Sequence, residues 1–185
     1  IMANNVTKDS DYVVGLDIGT SKVVCIIGKY VDQQSLEVVA MGSYPSSGLK
    51  KGVVVNIDAT TDAIQKSIDQ AQASFEGKIK NVYVGIAGNH IRSLNSHGIV
   101  GIKDKEVDAG DIDRVIEAAQ AVAIPSDQRV LHVLPQEYVI DNQDSIREPL
   151  GMSGVRLESH VHLVTCANNA IQNIEKCVKR CGVGV

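Results

Sequence analysis

The sequence has no tryptophan, a single phenylalanine and five tyrosines. So few aromatics argue against nucleic-acid binding by base stacking, and a net charge of −4 with no basic patch argues against a grip on phosphate backbones. No apolar run approaches the roughly 20 residues that a membrane-spanning helix needs, and no N-terminal stretch has the layout of a secretory signal. The four cysteines, Cys25, Cys166, Cys177 and Cys181, show no CxxC spacing. They read as reduced, mostly buried thiols of a cytoplasmic protein. Cys177 and Cys181 are four apart and share a helical face, but two ligands do not make a metal site. What remains is an ordinary globular composition, 44% hydrophobic and 22% charged. At 185 residues the chain can bury about two-thirds of its unfolded surface, enough for one domain or two small ones.

The stretch around which the chain is organised is GLDIGTSKVVCIIG, Gly15 to Gly28. Val13, Val14, Leu16 and Ile18 form one apolar run and Val23 to Ile27 a second, with Gly, Thr and Ser at the bend: a hairpin signature. The bend also has the parts of a phosphate site. Gly19 permits close backbone approach, and successive N–H groups at a turn form an anion-binding concavity. Thr20 and Ser21 add hydroxyl donors and Lys22 adds charge. A carboxylate beside phosphate is repulsive unless a cation stands between them, so Asp17 suggests a hydrated magnesium ion. The spacing is neither the Walker pattern nor GxGxxG, and the same residues also suit an ordinary hairpin bend.

Along the chain, residues 1–11 are polar and unpatterned and read as disordered or appended. A third strand is expected over Leu36–Ser43, then a loop over Tyr44–Gly52 whose Lys50 and Lys51 read as solvated. The spacing predicts a helix over Ala59–Phe75, with Asp58 as N-cap, Ile64, Ile68, Ala71 and Phe75 as its stripe, and Gly77 at its end. A buried strand follows over Val82–Ala87. The pattern then changes: a strand over Ile91–Ile102, a helix capped by Asp108 with Asp111 three residues on, and Pro125 as its stop. Ile112, Val115, Ile116, Ala119 and Val122 line that helix. Arg129–Ile140 reads as a strand with an edge, bulge or bend at Pro135, and Asp141–Gly154 as a polar loop. Val155–Cys166 alternates, with Val155, Leu157, Val161 and Leu163 on one side and Arg156, Glu158, His160 and His162 on a wet face. No third ligand is spaced to join the two histidines, so they read as solvated. A closing helix is expected over Asn168–Cys181, with Gly182 as C-cap.

GLDIGTSK resembles the first phosphate loop of the superfamily that contains actin, the heat-shock chaperone ATPases and the sugar kinases. The segments SYPSSGLKKGVVVNIDATTDAIQKSIDQAQ, VYVGIAGNHI, RVLHVLPQEYVID and PLGMSGVRLESHVHLVTC resemble, in order and spacing, the FtsA family of bacterial cell-division proteins. The likeness covers the chain from about Tyr12 onward, and RVLHVLPQEYVID and GMSGV are its most specific parts. It implies an α/β fold: the N-terminal part of an actin-like (ribonuclease H-like) domain with a small inserted α+β subdomain of strand, helix, strand and strand. Residues 12–87 and 161–185 would form an incomplete subdomain 1A, and residues 88–160 the inserted subdomain 1C.

The resemblance also implies a function. The full protein would be about twice as long, with the second phosphate loop, adenosine pocket, FtsZ-tail surface and C-terminal membrane helix expected beyond Val185. It would bind ATP with magnesium, polymerise, and link the FtsZ ring to the cytoplasmic face of the inner membrane at the division septum. Asp17, Gly19, Thr20, Ser21 and Lys22 would bind the cofactor, with Asp17 holding magnesium through water only when nucleotide is bound. Lys22 follows Asp17 more closely than the phosphate lysine of actin follows its aspartate. As half a site, the loop is expected to bind nucleotide weakly or not at all in this chain. Subdomain 1C would mediate self-association. The basic tail of FtsN would dock near the 1A/1C junction, with Glu137, Asp141, Asp144, Glu148 and Glu158 as candidate acids. Two other readings are a pilus-assembly scaffold like PilM, and an ATPase or kinase of the superfamily. The second needs a catalytic base and a substrate cleft, and the sequence offers neither. QEYVID and GMSGV favour division over pilus assembly.

Overall fold

The structure, a computed structural model, describes residues 11–185. The reading of residues 1–11 as disordered therefore lies, Asp11 apart, outside the described residues. The chain divides into two compact units, Ile1–Asn89 with Asn169–Val185, and His90–Asn168.

The first unit is built on the expected hairpin, β1 (Tyr12–Ile18) and β2 (Lys22–Tyr30), joined by β3 (Leu36–Pro45) on one side. The 44–52 loop closes in a minimal ribbon, β4 (Leu49–Lys50) and β5 (Val53–Val54), turned by Lys51 and Gly52 at φ 53° and 79°. Helix α1 (Ile57–Ala73) follows, then the short β6 (Tyr83–Gly85). The sheet order is β3-β2-β1-β6, antiparallel except for the β1/β6 pair. Alternation sends Leu16, Ile18, Val23, Cys25 and Ile27 to one face, where they are buried with Ala63, Ile64, Ile68 and Ala71 of α1. Gly42 makes that approach possible, because a Cβ there would collide with the Ser67 carbonyl oxygen.

The N-cap of α1 is Asn56, not Asp58. The Asn56 side chain accepts from the Ala59 amide at 2.9 Å, while Asp58 lies in the first turn and pairs with Arg180 at 3.1 Å. Both residue types cap well, so composition could not choose between them. The helix stops at Ser74, whose amide bonds to Ala71. The Gln72 side chain then ties down the exit by donating to the carbonyls of Phe75 and Gly77 and accepting from the Ile79 amide. The closing helix α3 (Asn168–Arg180) adds Ile174, Cys177 and Val178 to this core and ends at Gly182, φ 77°.

The second unit contains β7 (Arg92–Gly101), α2 (Ala109–Gln120), β8 (Gln128–Ile140), β9 (Gln143–Ile146) and β10 (Arg156–Ala167). They form an antiparallel sheet of order β7-β10-β8-β9. Helix α2 begins with the expected capping box. Asp108 accepts from the Asp111 amide at 2.7 Å, and Asp111 accepts from the Asp108 amide at 3.2 Å. The Asp111 carboxylate is fully buried and also takes Arg114, whose guanidinium donates to the Gly101 carbonyl at 2.8 Å. Val115 and Ala119 pack on Leu157, Val161 and Leu163 beneath. Gly98 repeats the device of Gly42, since a Cβ there would strike the Val115 carbonyl oxygen. The irregularity at Pro135 is a register shift: Glu137 pairs with His160 and Pro135 with Val161, leaving Gln136 over.

Readings of the second unit change as well. Residues 141–154 are not loop throughout, for β9 pairs with β8, giving the unit one short strand more than expected. Asp141 makes that turn at φ 53°, and its carboxylate accepts from the amides of Val155 and Arg156. The inserted unit also extends to Asn168 rather than stopping at His160. β10 is one strand, paired along its length from Arg156–Gly101 to Ala167–Gln128, so the chain has no place to leave at mid-strand.

Candidate functional site

The β1–β2 turn gathers the five singled-out residues at one hairpin end. Ile18 and Val23 are the last cross-strand pair, and the turn is closed by the Gly19 amide donating to the Lys22 carbonyl at 3.0 Å. A Cβ on Gly19 would sit 2.9 Å from that same oxygen, so glycine is required first by the turn itself. The Ser21 carbonyl accepts from the Ser46 amide at 3.0 Å, which pins the turn to the end of β3. Thr20, Ser21 and Lys22 are exposed. Alternation places Asp17, Lys22 and Val24 on the face opposite α1.

Asp17 is exposed between buried Leu16 and Ile18, with Val24 of β2 and Gly85 of β6 as its strand partners. A shallow pocket of about 210 Å³ opens beside it, lined by Gly15, Asp17, Val24, Ile26, Tyr83 and Gly85 among others. Gly15 and Gly85 keep the floor low around the carboxylate. Tyr83 and Gly85 were not legible as neighbours of Asp17, since they come from a strand more than sixty residues downstream and carry no motif. This donor set fits half of a phosphate site: hydroxyls and a lysine at the tip, with a carboxylate one strand position back on an open surface.

The cysteines take no part. Cys25, Cys166 and Cys177 are buried and Cys181 half-buried, all as free thiols. Burial pushes the thiols of Cys25 and Cys181 up to about 11 and raises Cys177 as well, so all three stay protonated and unreactive. Cys177 donates to the Ile57 carbonyl and Cys181 to those of Thr61 and Cys177. Among the described residues no three His, Cys, Asp or Glu side chains are grouped to hold a metal, and no helix is long and apolar enough to cross a membrane.

Of the five acids considered for a basic partner, Asp141 and Glu158 are engaged by other elements of the fold, and Asp144 accepts only from the neighbouring Ser145 hydroxyl at 3.2 Å. Asp141 holds the β9 turn, and Glu158 takes both Arg156 at 2.7 Å and His97 at 2.8 Å. Asp144 and Glu148 are exposed and Glu137 half-buried.

A family model described as the SHS2 domain inserted in FtsA matches residues 88–165, nearly the span of the second unit. The chain is 66% identical over 173 residues to the cell-division protein FtsA of Pseudomonas aeruginosa, covering 94% of this chain. It is 52% identical to the FtsA of Neisseria meningitidis serogroup B and 41% identical to that of Escherichia coli, over 93% and 96% of this chain. The chain belongs to the FtsA family. It spans 42% of the length of each of these relatives. Among solved structures, a chain of the PilM–PilN type IV pilus biogenesis complex superposes with a TM-score of 0.59 at 15% identity, covering 93% of this chain and 45% of that one. At that identity the likeness concerns fold alone, and it agrees with an actin-like α/β domain carrying an inserted unit.

Proposed function

We propose that this FtsA-family chain carries one half of an ATP site and the inserted interaction unit of a non-catalytic division scaffold. The scaffold polymerises and ties the FtsZ ring to the cytoplasmic face of the inner membrane at the septum. The observation that carries the reading is the hairpin end, where Asp17, Gly19, Thr20, Ser21 and Lys22 stand together, open to solvent. Thr20, Ser21 and Lys22 would meet phosphate oxygens, and Asp17 would hold magnesium through water. Bound nucleotide would supply the negative charge that the Lys22 ammonium and the turn's hydroxyls complement. The inserted unit would serve contacts between subunits and accept the basic tail of FtsN, for which Glu137, Asp144 and Glu148 are the acids left available.

The test is titration of Mg-ATP against this chain and against the full-length protein, read by calorimetry. Saturable binding by the full-length protein is expected to weaken at least tenfold on Asp17→Ala and on Thr20→Ala. This chain alone should show no saturation below about 1 mM, because a ligand held on one side stays largely hydrated. Full-length binding that ignores both substitutions would overturn the assignment of the loop. Phosphorylation of a small molecule at ordinary enzyme rates would overturn the scaffold reading.

A further inference from the structure

Four of the five histidines stand on one surface, the face of the second unit's sheet that α2 does not cover. His97 of β7 is the strand partner of His160 of β10, His162 lies two residues on, and His132 of β8 is paired with Val164. Strand partners share a face, so these side chains are neighbours. Solvation alone accounts for an exposed histidine, but three features here go further.

First, His162 Nδ1 lies 2.8 Å from Asn95 Oδ1. An amide oxygen only accepts, so this contact requires the neutral ring to carry its proton on Nδ1, which leaves the lone pair on Nε2. Fixing one ring nitrogen through a neighbour is how proteins prepare a histidine ligand. Second, the His160 ring is stacked on His97, with centroids 4.6 Å apart at 15°. His97 is itself held through Nε2 by Glu158, which Arg156 anchors in turn. His160 is thereby held toward β7, the same side as His162. Third, a pocket of about 370 Å³ lies beside the extra residue Gln136, and its lining includes Asn95, Glu137, His160 and His162. Glu137 is the strand partner of His160 on its other side.

We propose that His160 and His162 form a two-point chelate for a borderline divalent transition ion, zinc, nickel or copper(II). Glu137 swings in as a third ligand and water fills the rest. The ion class follows from the donors: neutral imidazole suits these metals and not magnesium or calcium. No three ligands are preassembled among the described residues, so the site tightens only when the ion arrives. The proposal is independent of the nucleotide reading, since it concerns a different unit and a different ion.

Nickel and zinc chloride are titrated against this chain by calorimetry, with magnesium chloride as control and histidine ring signals followed by NMR. One saturable site for nickel and zinc is expected, with none for magnesium. His160→Ala and His162→Ala should each weaken it at least tenfold. Glu137→Gln should weaken it less, and His132→Ala should leave it unchanged. Copper(II) should broaden the ring signals of His160 and His162 before that of His132. All four positions are at least partly exposed on the open face, and unchanged circular dichroism checks that each variant is folded. Absence of saturation below about 1 mM, or binding that survives loss of both histidines, would overturn the proposal.

Discussion

The two units meet the same construction problem in the same way on one side and differently on the other. Each lays a helix across a four-stranded sheet, and each places a glycine where the helix backbone comes nearest, Gly42 under Ser67 and Gly98 under Val115. The opposite faces diverge. In the first unit that side leaves Ile26, Met41 and Tyr83 exposed, the last two at 61% and 76%, with Val38 beside them at 62%. In the second it offers Asn95, His97, Glu158, His160 and His162, which bond or stack across strands, beside Ile99 and Leu134 at 52% and 44% exposure. An antiparallel sheet can finish one face with water if that face is polar, whereas all-parallel sheets are covered on both sides. The second unit, antiparallel throughout, follows the first pattern. The first unit, a mixed sheet with one parallel β1/β6 pair, fits neither pattern and leaves a more apolar face exposed.

The comparison breaks most readily at the two glycines. Gly42→Ala and Gly98→Ala should each cost about 1–3 kcal/mol by forcing helix and sheet apart. Hydrogen exchange should show the loss of protection confined to the unit that carries the change. If Gly42→Ala stripped protection equally from β7 and β10, the two units would not be separate in stability.

A smaller effect sharpens the account of how the helices start. Asn56→Ala and Asp108→Ala should each lower stability by about 1 kcal/mol, seen as a shift in urea midpoint. Asp58→Ala removes only an exposed pair with Arg180 and should cost a few tenths. A larger loss from Asp58→Ala than from Asn56→Ala would return the cap to Asp58.

The smallest effect is confined to the second unit at acid pH. Burial of Asp111 acts to raise its carboxyl, but the bond from the Asp108 amide and the Arg114 guanidinium outweigh it and hold the group below the usual carboxylate range. A depressed carboxyl contributes stability that is present above its unfolded value of about 4 and lost as pH falls through the folded value. Urea midpoints for the second unit should therefore drop below about pH 4, and Asp111→Asn should flatten that fall at the cost of lower stability near neutrality. An unchanged acid profile in Asp111→Asn would remove this group from the account.

Short-range patterns were sufficient for much of this fold. The β1–β2 hairpin, the Asp108/Asp111 box, the bulge beside Pro135, the wet face of β10 and the stop at Gly182 rest on residues within a few positions of one another. Period-2 and period-3.6 spacing reports such features directly. The five turn residues of the candidate site were legible for the same reason. Its surroundings were not: Tyr83 and Gly85 reach Asp17 only through the parallel β1/β6 pairing.

By itself, the sequence determined the elements that local chemistry dictates and the family to which the chain belongs. Tertiary structure alone decided that Asn56 rather than Asp58 caps α1, that residues 143–146 are a strand, and that the inserted unit ends at Asn168. It alone set His97 against His160. Each of these depends on which distant segment supplies a hydrogen-bond or packing partner, and that pairing leaves no mark in the spacing of neighbouring residues.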